Sequence, residues 1–409
     1  MEMNKTPRSV RLHIAFFGKS NVGKSSLINA ITGQDIAIVS PVKGTTTDPV
    51  YKSMEILPIG PCELIDTAGL DDIGALGQLR VQKTLEVLHK TDVAVFVMDA
   101  AVMPDEKDEE IIGLIKNKKI PLIIVVNKSD VAVPDTSGLS AKYDTTVLPV
   151  SAVTKRGVKE LIGSLSVLVP SEEDKFKIVG DLVSAGDVVV LVTPIDKAAP
   201  KGRLILPQQQ VIRDILESDA VGLITKEHEL RHTLSMLKTK PKLVITDSQV
   251  FLKVAADTPR DVMLTSFSIL FARFKGDLNE LVRGTASIKQ LKDGDKVLVA
   301  EACTHHQQSD DIGRVKIPRW LRQLTGKELA FEFASGSSYG GDITQYSLII
   351  HCGACMINKK EMQFRIETAK EKNIPIVNYG ILIAYVQGIL DRVLEPFPLA
   401  KMIWEGEKA

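Results

Sequence analysis

Short apolar runs alternate with longer segments of mixed polarity along the chain, and this alternation predicts an α/β protein. In the first 170 residues the apolar, β-branched runs predict strands, and the segments between them have helical spacing. The predicted strands are His13–Phe17, Val50–Leu57, Glu63–Asp66, Val93–Asp99, Leu122–Val126 and Val147–Val150. The predicted helices lie near Lys24–Thr32, Gln78–His89, Asp105–Lys116 and Gly157–Leu168. Such alternation is typical of a mostly parallel sheet with helices on both faces.

A polar, proline-led segment at Pro170–Lys175 separates this pattern from two further α/β patterns. The middle one has strands at Val188–Pro194, Ala220–Thr225, Lys242–Thr246 and Val262–Ser266 with helices near Gln208–Glu217, Glu227–Leu237 and Gln249–Ala256. The last has strands at Lys296–Ala302, Leu329–Phe333, Tyr346–Ile350 and Ile374–Val377, and its last helix lies near Ile381–Leu394. We therefore predict three consecutive α/β domains, at 1–170, 171–266 and 267–409, the last two being smaller parallel-sheet units. We find no fixed-period repeat.

Composition narrows the function classes. The 409 residues are 44% hydrophobic and 25% charged, as in ordinary globular proteins. Because 51 basic residues balance 51 acidic ones, a nucleic-acid binder that relies on a global positive field is disfavoured. The amino terminus lacks the pattern of a signal peptide and no apolar run is long enough to span a bilayer, so we expect a cytoplasmic protein without a membrane or nucleic-acid partner. In that reducing compartment, the four cysteines are expected to be thiols or metal ligands.

The first chemical motif is a phosphate-binding loop at Gly18–Ser25, GKSNVGKS, which lies between a predicted strand and a predicted helix. Glycines let backbone N–H groups surround phosphates at a helix N-terminus. Lys24 is expected to reach the β- and γ-phosphates, and the Ser25 hydroxyl to bind Mg²⁺. The residues expected to contact the nucleotide here are Gly18, Asn21, Val22, Gly23, Lys24, Ser25 and Ser26.

Three more motifs follow in the order that a guanine-nucleotide site requires. Asp66–Gly69, DTAG, ends a strand and is placed for Asp66 to hold the Mg²⁺ shell and for Gly69 to sense the γ-phosphate. Asn127–Asp130, NKSD, follows another strand, and the Asp130 carboxylate there can accept hydrogen bonds from the N1–H and N2–H edge that guanine has and adenine lacks. The predicted base pocket comprises Asn127, Lys128, Asp130, Ser151 and Ala152. Together these motifs predict a GTP hydrolase.

Residues 10–170 resemble the GTPases related to TrmE, Era and EngA. The resemblance lies in Asn21 and in the segment Gly44–Asp48, GTTTD. It implies that Thr46 completes the Mg²⁺ shell and that Asn21 helps to bind a K⁺ ion that replaces an arginine finger. Leu70 occupies the position where Ras-type enzymes have a water-orienting glutamine, so we expect slow intrinsic hydrolysis. Related enzymes use an acidic residue farther along this second switch segment. None of Asp71, Asp72 and Gln78 matches it, so the water-positioning residue is left unassigned.

The second constellation is Cys303-Thr304-His305-His306 together with His351-Cys352-Gly353-Ala354-Cys355. Each group follows a predicted strand, so parallel pairing of the two strands would place both at one carboxyl edge of a sheet, where open α/β sheets bind ligands. Three cysteines and a histidine suit a tetrahedral zinc or an iron–sulfur cluster. The chain has a single C-x-x-C pair, whereas many structural zinc sites use two, and this slightly favours iron–sulfur.

Taken together, the GTPase motifs, the middle α/β segment and the C-x-H…H-C-x-x-C pattern resemble the HydF family, the maturation GTPases of [FeFe]-hydrogenase. The middle segment Pro194–Leu204, PIDKAAPKGRL, adds to the likeness. The resemblance implies a [4Fe-4S] cluster held by Cys303, Cys352 and Cys355, with a variable fourth ligand. The candidates for that ligand are His305, His351, Asp310 and Asp311.

The family likeness also implies a role and partners. A protein of this kind is a scaffold and carrier that receives the binuclear iron precursor from radical-SAM maturases and delivers it to the apo-[FeFe]-hydrogenase, with its middle domain forming a homodimer. One alternative is a ribosome- or RNA-associated GTPase with a structural zinc accessory domain. Another is an iron–sulfur redox enzyme with a regulatory GTPase domain, which lacks support from any flavin or nicotinamide fingerprint.

Overall fold

The computed structural model describes residues 6–33, 48–69, 83–169, 177–194, 204–302, 311–336 and 341–408. The chain divides into two compact units, Met1–Lys175 and Phe176–Ala409. Among the described residues, the first unit contains one sheet and the second contains two.

The first unit is built on a six-stranded sheet with the order β2-β3-β1-β4-β5-β6. All neighbouring strands are parallel except β2 and β3, which form an antiparallel pair. The strands are β1 (Leu12–Phe17), β2 (Val50–Ile56), β3 (Gly60–Asp66), β4 (Val93–Asp99), β5 (Leu122–Asn127) and β6 (Thr146–Pro149). The predicted strands are therefore confirmed to within a few residues at each end.

Helices α1 (Lys24–Thr32), α2 (Glu106–Asn117), α3 (Thr136–Tyr143) and α4 (Val158–Leu168) connect these strands, and residues 83–88 are also helical. Helix α3 is absent from the sequence prediction. Its Ser, Gly and Lys residues give it little apolar periodicity, and it begins instead at an Asp135 side chain that accepts the N–H of Gly138. Local capping was the signal that could have identified it.

The central strands of this sheet are buried on both faces, as expected for parallel strands covered by helices. One apolar cluster includes Ile14, Phe16, Val95 and Leu161, and the cluster on the opposite face includes Phe17. Adjacent residues of β1 thus point to opposite faces. This packing fixes the strand ends from which the nucleotide motifs extend.

The second unit contains two four-stranded sheets, and every strand pair in both is parallel. Their orders are β8-β7-β9-β10 and β12-β11-β13-β14. The strands of the first are β7 (Val188–Val192), β8 (Val221–Thr225), β9 (Leu243–Thr246) and β10 (Met263–Ser266). Those of the second are β11 (Lys296–Glu301), β12 (Ala330–Ser335), β13 (Leu348–His351) and β14 (Ile376–Asn378). The predicted fold class, a GTPase sheet followed by two smaller parallel sheets, is confirmed.

More helices cover these two sheets than the sequence pattern predicted. The described helices are α5 (Leu206–Glu217), α6 (Leu230–Met236), α7 (Phe251–Asp257), α8 (Phe267–Lys275), α9 (Leu278–Ala286), α10 (Ile317–Thr325), α11 (Lys359–Glu371), α12 (Tyr379–Val386), α13 (Leu390–Val393) and α14 (Pro398–Lys408). The prediction of one helix over Ile381–Leu394 that ends the fold was wrong. Gly388, with φ of 72°, separates α12 from α13, and α14 follows.

A single apolar cluster runs through both sheets of the second unit. It contains β7, β9, β11 and β13 residues together with the buried faces of α8, α9 and α12. The predicted boundary at residue 267 falls at the start of α8, inside this cluster. The two sheets therefore share one core.

The close packing of α9 against β14 in that core can be tested at Gly284. A Cβ on Gly284 of α9 would lie 2.0 Å from the backbone oxygen of Ile376 on β14, so we expect Gly284→Ala to cost roughly 1–3 kcal/mol of unfolding free energy. Gly406→Ala, in α14 where a Cβ meets open space, is the matched control and should be neutral or stabilising by up to about 1 kcal/mol. Urea denaturation of both variants measures the difference, and equal effects would contradict the packing argument.

Candidate functional site

The phosphate-binding loop begins directly after β1 and needs glycine at two positions for steric reasons. Gly18 has φ of 138°, and a Cβ there would lie 2.2 Å from the oxygen of Val97. Gly23 has φ of 94°, and a Cβ there would lie 2.2 Å from the Asn127 side-chain nitrogen. The loop therefore lies directly against strands β4 and β5, in a conformation that other residues adopt only with strain.

Lys24 and Ser25 place the expected phosphate and Mg²⁺ ligands at the start of α1. The buried Lys24 ammonium donates to the carbonyl oxygens of Gly18 and Lys19 at 2.9 and 2.7 Å. The Ser25 hydroxyl donates to Asp66 Oδ2 at 2.5 Å. Burial raises the pKa of Asp66, while the Ser25 hydrogen bond and the Lys24 charge oppose that rise. A hydroxyl and a carboxylate in contact at a helix N-terminus form a suitable partial shell for Mg²⁺.

Asn127 ties the phosphate loop to the base-binding segments. Its Nδ2 donates to the Val22 oxygen at 2.9 Å, and its Oδ1 accepts the Ala152 N–H at 3.0 Å. Because this side chain is buried, both halves of its amide are used for structure. The predicted residues Asn127 and Ala152 are thus brought together with the phosphate loop.

The remaining predicted base-site residues lie on the segments that follow β5 and β6. Lys128 has φ of 64° and its ammonium contacts Asp99 Oδ2 at 2.6 Å. Ser151 is fully buried and its hydroxyl accepts the N–H of Thr154 at 3.1 Å. Asp130 is exposed. The guanine pocket formed by these residues stays a prediction.

One contact of the phosphate loop was not predicted. The Lys19 ammonium lies 2.8 Å from Asp105 and 2.7 Å from Asp108, the two residues of the capping box that begins α2. Lys19 occupies a variable position of the loop motif, so the pattern carries no signal for it. The acidic N-terminus of α2 is what anchors that side of the loop.

Several predicted nucleotide residues lie outside the described part of the chain. They are Thr46, Leu70, Asp71, Asp72 and Gln78. Gly69 is described, and a Cβ on it would lie 2.0 Å from Ser20 Oγ, so the DTAG segment approaches the phosphate loop as closely as backbone allows.

The second constellation lies where β11 and β13 end. These strands are parallel neighbours, with Ala300 opposite His351, which confirms that the two motifs begin at one carboxyl edge. The Cys352 sulfur accepts the backbone N–H of Ala302 at 3.2 Å. Because Ala302 directly precedes Cys303 in the sequence, the two cysteine segments start from adjacent positions. Cys303, His305 and Asp310 lie outside the described residues.

His351 is a fully buried imidazole whose two nitrogens both have protein partners. Its Nδ1 lies 2.8 Å from the Cys352 oxygen, and its Nε2 lies 2.8 Å from Nη1 of Arg365. Since the guanidinium can only donate and the carbonyl can only accept, the ring is the neutral Nδ1–H tautomer. Burial and the neighbouring Arg365 lower the pKa of His351 to about 3. Arg365 also forms an ion pair with Glu361 at 3.1 Å.

The turn that carries Cys352 and Cys355 rests on a buried lysine. Lys275, at the end of α8, donates to the oxygens of Ala354, Cys355 and Ile357 at 2.9, 3.2 and 2.7 Å. Burial lowers the pKa of Lys275 to about 8, although the two thiols act in the opposite direction. Burial also raises the pKa of Cys352, while the N–H groups of Ala302 and Ala354 oppose that rise.

These observations fit a thiolate-bound metal group. Backbone N–H donors to the Cys352 sulfur and a nearby ammonium are the surroundings that stabilise thiolates. Within the described residues no group of three or more His, Cys, Asp or Glu side chains converges, and Cys352 and Cys355 are the two predicted cysteine ligands among them. Asp311 is described, and its carboxylate accepts the N–H of Arg314 at 2.8 Å.

Comparison with family models assigns each unit. Residues 178–276 match the hydrogen maturase F dimerization domain, and residues 279–396 match the hydrogen maturase F tetramerization domain. Together these two models match more than half of the chain. Residues 13–128 match the model described as a 50S ribosome-binding GTPase. The first unit is thus a GTPase domain.

Curated relatives match part of the chain. The tRNA modification GTPase MnmE of Endomicrobium trichonymphae is 34% identical over 171 residues, which cover 40% of this chain and 37% of MnmE. MnmE of Bordetella petrii is 40% identical over 120 residues, covering 29% of this chain and 26% of MnmE. The chain thus spans only about a third of the length of these relatives. Among solved structures, Era of Aquifex aeolicus bound to GDP and AlF4⁻ superposes with a TM-score of 0.37 at 20% identity, covering 60% of this chain and 99% of Era.

None of the helices in the described segments combines the length and the apolar character needed to cross a bilayer.

The His351 site generates a pH prediction for the metal-free protein. The pKa of His351 is about 3 when folded and 6.5 in its ordinary state, so its contribution to stability is complete above pH 6.5 and is lost as the pH falls towards 3. Between pH 6.5 and pH 3, the unfolding free energy of the second unit, measured by chemical denaturation, should therefore fall by up to about 1.4 kcal/mol per pH unit. The His351→Gln substitution should remove this contribution to the slope. If the unfolding free energies of the wild type and of His351→Gln changed in parallel with pH, His351 would not be the neutral buried imidazole described above.

Proposed function

The chain belongs to the hydrogen maturase F family, and we propose that it is a GTPase that acts as scaffold and carrier in assembly of the [FeFe]-hydrogenase active-site cluster. The observation that carries the proposal is the meeting of the two cysteine segments at one sheet edge, with the Ala302 N–H bonded to the Cys352 sulfur. Under this proposal the protein holds a binuclear iron precursor as cargo and delivers it to the apo-hydrogenase.

The GTPase site carries the nucleotide part of the proposal. Ser25, Asp66 and Thr46 hold Mg²⁺, Lys24 binds the β- and γ-phosphates, and Asn21 helps to bind K⁺. Hydrolysis is slow because Leu70 cannot orient water, and it is stimulated by potassium. The Ser25–Asp66 contact and the Asn127 bridge between phosphate loop and base pocket support this arrangement.

Base recognition is tested by Asp130→Asn. An amide in place of the carboxylate loses the acceptor pair for guanine N1–H and N2–H, so GTP affinity should fall about 100-fold or more while xanthosine triphosphate binds better. Titration with fluorescent nucleotides measures the base preference. Phosphate release by the wild type in KCl and in NaCl measures the stimulation of hydrolysis by potassium. Lys142→Met, an exposed lysine on α3, is the control. Unchanged base preference, or equal turnover in the two salts, would contradict the nucleotide assignments.

The metal part of the proposal is a [4Fe-4S] cluster held by Cys303, Cys352 and Cys355. When bound, such a cluster supplies a redox-active iron site with one exchangeable position. The protein's own residues orient it: the Ala302 N–H binds the Cys352 sulfur, and Lys275 holds the turn between Cys352 and Cys355. Because both nitrogens of His351 have protein partners, we propose that His351 positions the turn. The fourth ligand is then sought among His305, Asp310 and Asp311.

The dimerization and tetramerization models that match residues 178–276 and 279–396 support oligomerisation. We propose that 1–170 binds GTP, that 171–266 forms a homodimer, and that 267–409 holds the cluster in a cytoplasmic protein. Strand β8 is an open edge of its sheet, and its Val221 and Ile224 are 49% and 50% exposed. An apolar edge strand pairs readily with a second copy. Two radical-SAM maturases and the apo-hydrogenase are the further proposed partners.

The decisive experiment is anaerobic reconstitution with iron and sulfide, followed by metal analysis and EPR of the reduced protein. About four irons per chain, with a signal that Cys303→Ala and Cys352→Ala abolish, is the expected result. Cys62→Ala is the matched control, because Cys62 is buried in the core of the first unit.

Stoichiometric zinc with no cluster would reject the scaffold proposal. It would leave the alternative, a ribosome- or RNA-associated GTPase with a structural zinc domain. Iron binding by the wild type that survives both cysteine substitutions would reject the ligand assignment while leaving the GTPase intact.

A further inference from the structure

The two sheets of the second unit are structural equivalents. In each, the first strand lies between the second and the third, and the fourth lies beyond the third. Their registers also agree. Val192 of β7 is opposite Thr246 of β9, just as Ala300 of β11 is opposite His351 of β13. The threonine position of the first sheet thus corresponds to the histidine that precedes Cys352.

The helices that follow the fourth strands extend this equivalence into the sequence. Ser266 caps α8 and Asn378 caps α12, each through its side chain. The two segments read SFSILFARFKG and NYGILIAYVQG, with the same I-L-x-A core and the same closing glycine. Lys275 and Gln387 are therefore equivalent positions. A search for a fixed period misses this duplication because the connecting segments differ in length.

The two halves, one built on β7–β10 and the other on β11–β14, make reciprocal contacts. Helix α8 packs on α12, α9 contacts β14, and α13 contacts β10 in the reciprocal arrangement. The equivalent residues Ser268 and Gly380 touch each other, since a Cβ on Gly380 would lie 2.0 Å from Ser268 Oγ. Each half consequently reaches the loops of the other. Helix α12 contacts the turn Ser248–Val250 after β9, and α8 meets the cysteine turn after β13.

The symmetry is broken at the residue that meets the cysteine turn. Lys275 is 1% exposed and donates to three carbonyl oxygens, so the whole donor capacity of its ammonium is used on that turn. Within the described segments, no carboxylate forms an ion pair with it. The Glu361 carboxylate, whose charge also acts on Lys275, forms its ion pair with Arg365. At the equivalent position the half built on β11–β14 has the neutral Gln387.

We propose that Lys275 is a positioning residue for the metal group. The half built on β7–β10 thereby contributes to a site whose cysteines all lie in the half built on β11–β14. This inference rests on the proposed metal group. A buried ammonium is costly without a counter-charge, and thiolates at Cys352 and Cys355 supply one. Lys275 in turn offsets the negative charge of a thiolate-bound cluster and fixes the spacing of the two sulfurs.

The test compares the full-length wild type with Lys275→Met, Lys275→Gln and Lys275→Arg. Co²⁺ titration of the metal-free protein, followed through the thiolate charge-transfer band, reports the site without iron chemistry. We expect Co²⁺ affinity to fall about tenfold in the Met and Gln variants, the effect typical of groups that orient metal ligands. After iron–sulfide reconstitution, the cluster's reduction potential should become more negative in the two neutral variants and remain near the wild-type value in Lys275→Arg.

Lys359→Met is the matched control, because Lys359 is an exposed lysine four residues after Cys355. It should leave both readouts unchanged. If Lys275→Met fails to fold, as judged by circular dichroism, the Gln and Arg variants still separate charge from hydrogen bonding. If Lys275→Gln kept the wild-type Co²⁺ affinity and the wild-type reduction potential of the cluster, the role of Lys275 would be overturned while the proposed function stood. A wild type that takes up neither Co²⁺ nor a cluster would instead overturn the proposed function.

Discussion

Parallel pairing of β11 with β13 is the constraint on which the second site depends. Parallel strands end at the same sheet edge, so residues far apart in the sequence start from neighbouring positions there. The Ala302 N–H reaches the Cys352 sulfur for this reason alone. Shifting either strand by one residue would exchange its faces and remove that hydrogen bond. The shared core beneath both sheets holds the register.

Buried polar groups around the cysteine turn show how the site is kept rigid. Burying an ionic group is unfavourable unless its hydrogen bonds are satisfied. Arg365 binds His351 and Glu361, and Lys275 uses three donors on three carbonyls. These contacts leave the turn that carries Cys352 and Cys355 little freedom. A rigid turn suits a site that must hold its sulfur ligands at a fixed spacing.

The nucleotide site follows the same principle with different chemistry. Asn127 uses both ends of its amide to join the phosphate loop to the segment after β6. Glycines at 18 and 23 allow the loop to lie against β4 and β5. The two sites thus share a design, in which loops at a sheet edge are fixed by buried polar side chains from neighbouring elements.

The sequence by itself determined the strands, the fold class and the nucleotide motifs. The apolar run within Val93–Asp99 has the length and β-branched content of a buried strand, and the GKSNVGKS pattern identifies a phosphate-binding loop. Helix α3, the break at Gly388 and helix α14 escaped prediction because caps and tertiary contacts, not apolar spacing, define them. Only the tertiary structure decided that both ring nitrogens of His351 form hydrogen bonds within the protein and that the Lys275 ammonium binds the cysteine turn. No sequence pattern links Lys275 to Cys355, because only the packing of two duplicated halves brings them together.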